Sequence, residues 1–133
     1  MSALLVQHIL LPDEGRSIVD IRGNIDSFAW TSASYIKSEI KAVCLSFHGL
    51  GNTQLKNRAE VSELELASHG ILTVFPYYGP WSWMNDEAIA FVDDIVEIVY
   101  DKYGLRESVP LLSTGGSMGG LSALIYTCYA RRT

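Results

Sequence analysis

An α/β fold, with a mostly parallel sheet and antiparallel strands toward its N-terminus, is what three features of this 133-residue sequence predict. Two nearly continuous apolar runs, Ala42–Phe47 and Ile71–Tyr77, read as strands covered on both faces. A long amphipathic stretch from Asn85 to Tyr103 follows them. A third apolar run, Val109–Leu112, then leads into a second helical pattern, so that strands and helices alternate as a parallel sheet requires.

The elements follow in order. Leu4–Leu11 is an apolar run closed by the turn residues Pro12-Asp13-Glu14-Gly15. Ser17–Ile21 and Ile25–Thr31 are short strand candidates around Gly23-Asn24. After the strand Ala42–Phe47, a helix is expected over about Lys56–Ser68, with Val61 and Leu64 inward and Gly70 as its left-handed stop. Ile71–Tyr77 is the next strand, closed by Pro76 and the loop Gly79-Pro80-Trp81-Ser82-Trp83-Met84. Asn85 is a good N-cap, and Asp86 and Glu87 sit favourably against the helix dipole. Ile89, Val92, Val96, Val99 and Tyr103 recur on one face of that helix, with Asp93, Asp94, Glu97 and Asp101 on the solvated side and Gly104 at its end. Leu121, Leu124, Ile125 and Cys128 stripe the last helix. With no linker, repeat or low-complexity tract, residues 1–133 read as one domain.

Composition narrows the function classes. A hydrophobic content of 48% supports a real core, and a net charge of −5 with scattered basic residues argues against a nucleic-acid partner. No apolar run approaches the ~20 residues of a membrane span. The opening MSALLVQHILLPDE lacks the basic start of a signal peptide, so the expected location is cytoplasmic. Cys44 and Cys128 lie within apolar runs and read as small buried hydrophobes. No clustered Cys and His ligands indicate a metal, and nothing in the sequence asks for a cofactor.

Chemistry concentrates at Gly115-Gly116-Ser117-Met118-Gly119, a G-x-S-x-G motif with an apolar strand before it and an apolar-striped helix after it. That context is what a nucleophile elbow requires, since it presents a serine on a tight strand-to-helix turn. The alternative is a glycine-rich loop that caps a helix and holds an anion. A second glycine turn, His48-Gly49-Leu50-Gly51, ends the strand Ala42–Phe47. Acyl transfer needs two backbone N–H donors on the developing oxyanion. Met118 and Leu50 occupy the two positions from which such donors come. His48 reads as a residue that shapes this loop, with general base as the lesser alternative.

On these two motifs and the element order between them, the chain resembles the N-terminal half of an α/β-hydrolase. The resemblance lies within the broad group of prolyl-oligopeptidase-like and dienelactone-hydrolase-like serine esterases and peptidases. The resemblance spans essentially the whole sequence. It implies an α/β-hydrolase-like three-layer fold, incomplete at the C-terminus, with Ser117 as nucleophile and the amides of Leu50 and Met118 as the oxyanion hole. In that family the acid and the histidine follow the nucleophile helix, whereas His8, His48 and His69 all precede Ser117 here.

The resulting expectation is an ester-hydrolysing domain that is weakly active or inactive alone, with a small ester or peptide as substrate. Two alternatives stand beside it: a peptidase-type hydrolase completed by a partner chain, and a non-catalytic binding or scaffold module. Trp81, Trp83 and Tyr77 are candidates for an aromatic substrate wall, or equally for core packing under the loop. Val109–Leu112 is expected at a sheet edge, where self-association can occur. Asp93, Asp94, Glu60, Glu63 and Glu65 read as solvated charges.

Overall fold

The computed structural model describes residues 18–49, 55–78 and 84–132. The predicted strand Leu4–Leu11 and most of the loop before Asn85 lie outside them. The described residues form an α/β fold around a mixed four-stranded sheet. Its strands are β1 (Ala29–Thr31), β2 (Ala42–Phe47), β3 (Ile71–Pro76) and β4 (Leu111–Gly115), in the spatial order β1-β3-β2-β4. β2 runs parallel to both β3 and β4, while the short β1 is antiparallel to β3. The antiparallel N-terminal strand and the parallel remainder agree with the sequence reading.

Among the described residues, four α-helices accompany the sheet: α1 (Ile18–Gly23), α2 (Val61–Ser68), α3 (Asp86–Lys102) and α4 (Met118–Tyr129). Successive strand residues point to opposite faces, and the two faces are covered differently. Val43, Leu45 and Phe47 of β2 point with Leu72 and Val74 of β3 into the main core. On that face Phe47 meets the ring of Tyr126 on α4, 5.6 Å away between centroids, and α4 is tied to α3 by Tyr126 Oη donating to Asp93. Phe91 of α3 packs edge-on against Phe28, the residue before β1. Cys44 and Phe75 point to the other face, where α2 lies.

α3 obeys its sequence signals. The Asn85 side chain accepts from Ala88 N, the apolar stripe is buried, and Gly104 adopts φ 62° just past the end. Gly70, at φ 79°, likewise lets the chain leave α2 and enter β3.

Elsewhere the structure departs from the sequence reading. Ser17–Ile21 was expected as a strand, but Ile18–Gly23 is helical, and Ile21 packs into the core at 3% exposure. Of Ile25–Thr31 only Ala29–Thr31 is strand, because Ile25–Ser27 forms a 3-10 turn that delivers Phe28 to the core. α2 begins at Val61, not near Lys56, and Val61 and Leu64 point to solvent. Its buried positions are Glu63 and Ala67, because Glu63 is drawn inward by Lys56 and by the reciprocal cap it makes with Glu60. Glu63 is therefore not the solvated charge expected of it. Asp93 is also buried, accepting from Tyr126 Oη and from Arg131 N at the end of α4.

The last strand starts at Leu111 and runs into the glycine motif as far as Gly115. It lies at the sheet edge, as expected, and its outer side pairs with no strand among the described residues. Pro110 does not blunt that side: its carbonyl accepts from Val43 N, so its missing N–H faces β2.

Candidate active site

β2 and β4 end together, with Phe47 directly opposite Gly115, so the chain leaves both strands at the same end of the sheet. The glycine turns after the two strands are thereby brought side by side. Ser117 sits between β4 and α4 at φ 55° and ψ −129°, a left-handed backbone that a non-glycine residue adopts only under constraint. The constraint is visible in its neighbours. A Cβ on Gly115 would run into the backbone of Gly119, and one on Gly119 would run into the carbonyl of Phe47. Only hydrogen at both positions allows α4 to start this close to β2 and β4.

The serine is exposed, and its hydroxyl makes no capping bond to α4. Its carbonyl instead accepts from Gly120 N at 3.0 Å, which starts the helix. Met118 opens α4 with its side chain buried, and a helix start leaves its first N–H groups without intrahelical partners. The Met118 amide is thus one donor beside the serine, on the positive end of the helix dipole. Leu50, the second expected donor, lies outside the described residues.

Where β2 ends, His48 is 3% exposed and its ring stacks on Tyr78 with 4.0 Å between centroids. Tyr77 is 5.4 Å and Phe75 6.4 Å from the same ring. Nδ1 lies 2.8 Å from the carbonyl of Gly49; a carbonyl only accepts, so Nδ1 carries the proton. Burial holds the imidazole below its ordinary pKa, which keeps it neutral at neutral pH, and Nε2 has no partner among the described residues. The aromatic residues that hold the ring belong to the end of β3, on the opposite side of β2 from β4 and Ser117. His48 therefore anchors its loop, as the loop-shaping reading has it. His69 caps the C-terminus of α2, just before β3, at the opposite end of the sheet from Ser117. His8 lies outside the described residues.

Tyr78 emerges as a support for the site. Its hydroxyl donates to the His48 carbonyl at 3.1 Å while its ring stacks on His48 and meets Phe47 edge-on, and burial pushes its pKa up to about 12. Tyr77 is fully buried, which is the core-packing alternative for that aromatic cluster; Trp81 and Trp83 lie outside the described residues. The sequence had shown Tyr78 only as one member of an aromatic run.

The striped face of α4 is largely uncovered. Leu121 and Leu124 are 45% and 63% exposed, Cys128 is exposed and Ile125 half-buried. Met118, Gly119, Ser122, Ala123 and Tyr126 face the protein instead. The rotation of the helix is set by the close approach of Gly119 to Phe47, which turns the leucines outward. Cys128 is accordingly not a buried hydrophobe, and Cys44 is half-buried against the α2 face.

Among the described residues, no group of three or more His, Cys, Asp or Glu side chains could hold a metal ion, and no helix is long and apolar enough to cross a membrane. No protein-family model, curated protein or solved structure matches this chain.

Proposed function

We propose that this chain carries the nucleophile and the oxyanion side of a serine-hydrolase centre of the α/β-hydrolase type, acting on carboxylic esters. The carrying observation is the backbone of Ser117: a serine at positive φ, exposed and free of capping duty, at a strand-to-helix turn that glycines on both sides make possible. An anion-holding loop does not need the side chain that is strained into solvent here. The reading is also supported by the neighbouring turn at His48-Gly49, since an oxyanion hole draws one N–H from the residue after the nucleophile and one from such an earlier loop.

In this reading Ser117 Oγ attacks the acyl carbon and the carbonyl oxygen turns toward the Met118 amide and its counterpart on the β2 loop. The alcohol then leaves, and water releases the acid. The Oγ proton needs a base; His69 stands at the far end of the sheet, and the His48 ring is buried in the aromatic cluster at the end of β3 with no hydrogen bond to Ser117. Base and acid then come from elements that add beyond β4, where the strand edge, Leu112, Leu121 and Leu124 stand uncovered. Helices on both faces of a mixed sheet suit the three-layer arrangement that the resemblance implies.

An added base substitutes for the missing one. In buffered imidazole a fluorophosphonate probe is expected to phosphonylate Ser117, located by peptide mass: the Oγ–P bond forms, fluoride leaves and imidazole takes the proton. Ser117→Ala removes that adduct. A wild-type chain that shows no adduct at Ser117 under these conditions contradicts the proposal.

A further inference from the structure

The end of β2 and the first turn of α4 meet along one buried seam. A Cβ on Gly119 would collide with the Phe47 carbonyl oxygen and stand 3.0 Å from that of His48, so α4 is seated directly on the Phe47–His48 backbone. The Tyr78 hydroxyl donates to that same His48 carbonyl at 3.1 Å, and its ring stacks on the imidazole. From α4 the Ser122 hydroxyl bears on the same phenol: burial raises the Tyr78 pKa, and Ser122 opposes the rise. Ser122 lies three residues beyond Gly119, on the same inward face of the helix, and is 1% exposed. Its Oγ closes no full hydrogen bond, and the phenol is the polar group it acts on. Buried hydroxyls are ordinarily employed, and acyl transfer at Ser117 uses neither of these two.

The seam supports the serine turn from beneath. Gly119 N and Gly120 N bond to the Gly116 and Ser117 carbonyls, so the turn and the start of α4 move as one piece. Where Gly119 rests therefore decides where Ser117 Oγ and the Met118 amide point. The His48 carbonyl is part of that rest, and Tyr78 holds it. Without the phenol hydroxyl it is a buried acceptor deprived of its side-chain donor, and its peptide gains by tilting toward another partner. We infer that Tyr78 and Ser122 are positioning residues of the Ser117 site: as a hydroxyl pair they fix the Phe47–His48 backbone on which α4 is seated, and so aim Ser117 and the Met118 amide at one acyl group. The inference rests on the serine-hydrolase reading and adds to it two buried hydroxyls that act through the backbone, not on the substrate.

Tyr78→Phe removes one hydroxyl and keeps the stacked ring; Ser122→Ala removes the other with little change in volume. The assay is the rate of imidazole-supported phosphonylation of Ser117, with thermal melting followed in parallel. Ile95→Val, in the core of α3, is the control for lost stability alone. Tyr78→Phe is expected to slow labelling on the order of tenfold, less than losing an oxyanion donor outright. Ser122→Ala is expected to slow it less, and the double variant no further than Tyr78→Phe, because residues that act as one unit are not additive. Ile95→Val is expected to label as wild type. Labelling at the wild-type rate in either single variant overturns the inference, whether or not melting shifts. So do losses that multiply in the double variant, and so does an equal slowing in Ile95→Val. If Tyr78→Phe does not fold, Ser122→Ala against Ile95→Val decides alone. A wild-type chain that never labels at Ser117 fails the serine-hydrolase reading itself, a result distinct from these.

Discussion

Helices α3 and α4 are joined by the Tyr126–Asp93 hydrogen bond, yet they differ in how much of their apolar surface they bury. α3 turns its bulk inward: Phe91, Val92, Ile95, Ile98 and Val99 are each 2% exposed or less, and its charges mostly face water. α4 turns Gly119, Ser122 and Ala123 inward beside Met118 and Tyr126, and leaves Leu121, Leu124 and Tyr129 in solvent. The burial of apolar surface orients the first helix. The second is oriented by the close approach that the Ser117 turn demands, at the expense of that burial. Where the two demands conflict, the turn wins, and such a conflict is expected at functional sites.

The sharpest way to break this comparison is to give Gly119 a side chain. Gly119→Val puts methyl groups where the Phe47 carbonyl stands, so α4 must shift or the turn must open. A loss of roughly 3 kcal/mol or more is expected in urea unfolding, in the range of severe core substitutions, together with loss of labelling at Ser117. A tolerated valine would show that small residues do not set the helix rotation.

A paired truncation follows. Ile95→Ala in α3 is expected to cost about 2–5 kcal/mol, because it empties a fully buried site. Leu124→Ala in α4 is expected to stay within about 0.5 kcal/mol, as for ordinary surface positions. Equal losses at the two positions, measured at low protein concentration, would mean that the leucine face is covered and the contrast false.

A smaller effect, of known sign, concerns pH. Burial depresses the His48 pKa below its ordinary 6.5, so between the folded value and 6.5 the unfolded chain takes a proton that the folded chain refuses. Stability is therefore complete above 6.5, falls as the pH drops through that window, and levels off below the folded value. His48→Phe, which keeps a ring against Tyr78, is expected to flatten the slope in that window. An unaltered slope would place the His48 ring in solvent.

Much of the architecture was legible because its signals are local or periodic. Asn85, Gly70 and Gly104 mark helix ends by backbone chemistry that depends on immediate neighbours, and the apolar runs of β2 and β3 have few other uses. The candidate site was legible for the same reason, since glycine spacing around Ser117 encodes a backbone shape. The inward face of α3 was legible from its long apolar stripe, whereas that of α2 was not. Leu121 and Leu124 form an apolar stripe in sequence but lose to Gly119; Val61 and Leu64 lose to Glu63, which Lys56 holds inward. The Glu60–Glu63 spacing was the one sequence signal for that cap, and it reads as solvated charge until the ion pair is seen. Asp93 was hidden likewise, because its partners Tyr126 and Arg131 come from 33 and 38 residues away.

Ser117 has the backbone of a strained, exposed nucleophile, and among the described residues no histidine is held against it by a hydrogen bond or ring contact. Hydrolysis of p-nitrophenyl acetate without added imidazole tests it most directly, with wild type and Ser117→Ala compared under identical conditions. The two proteins are predicted to hydrolyse the ester at the same slow rate. Robust turnover that disappears in Ser117→Ala would contradict the claim, because a base would then have to reach Ser117 from within the chain or from a second copy of it.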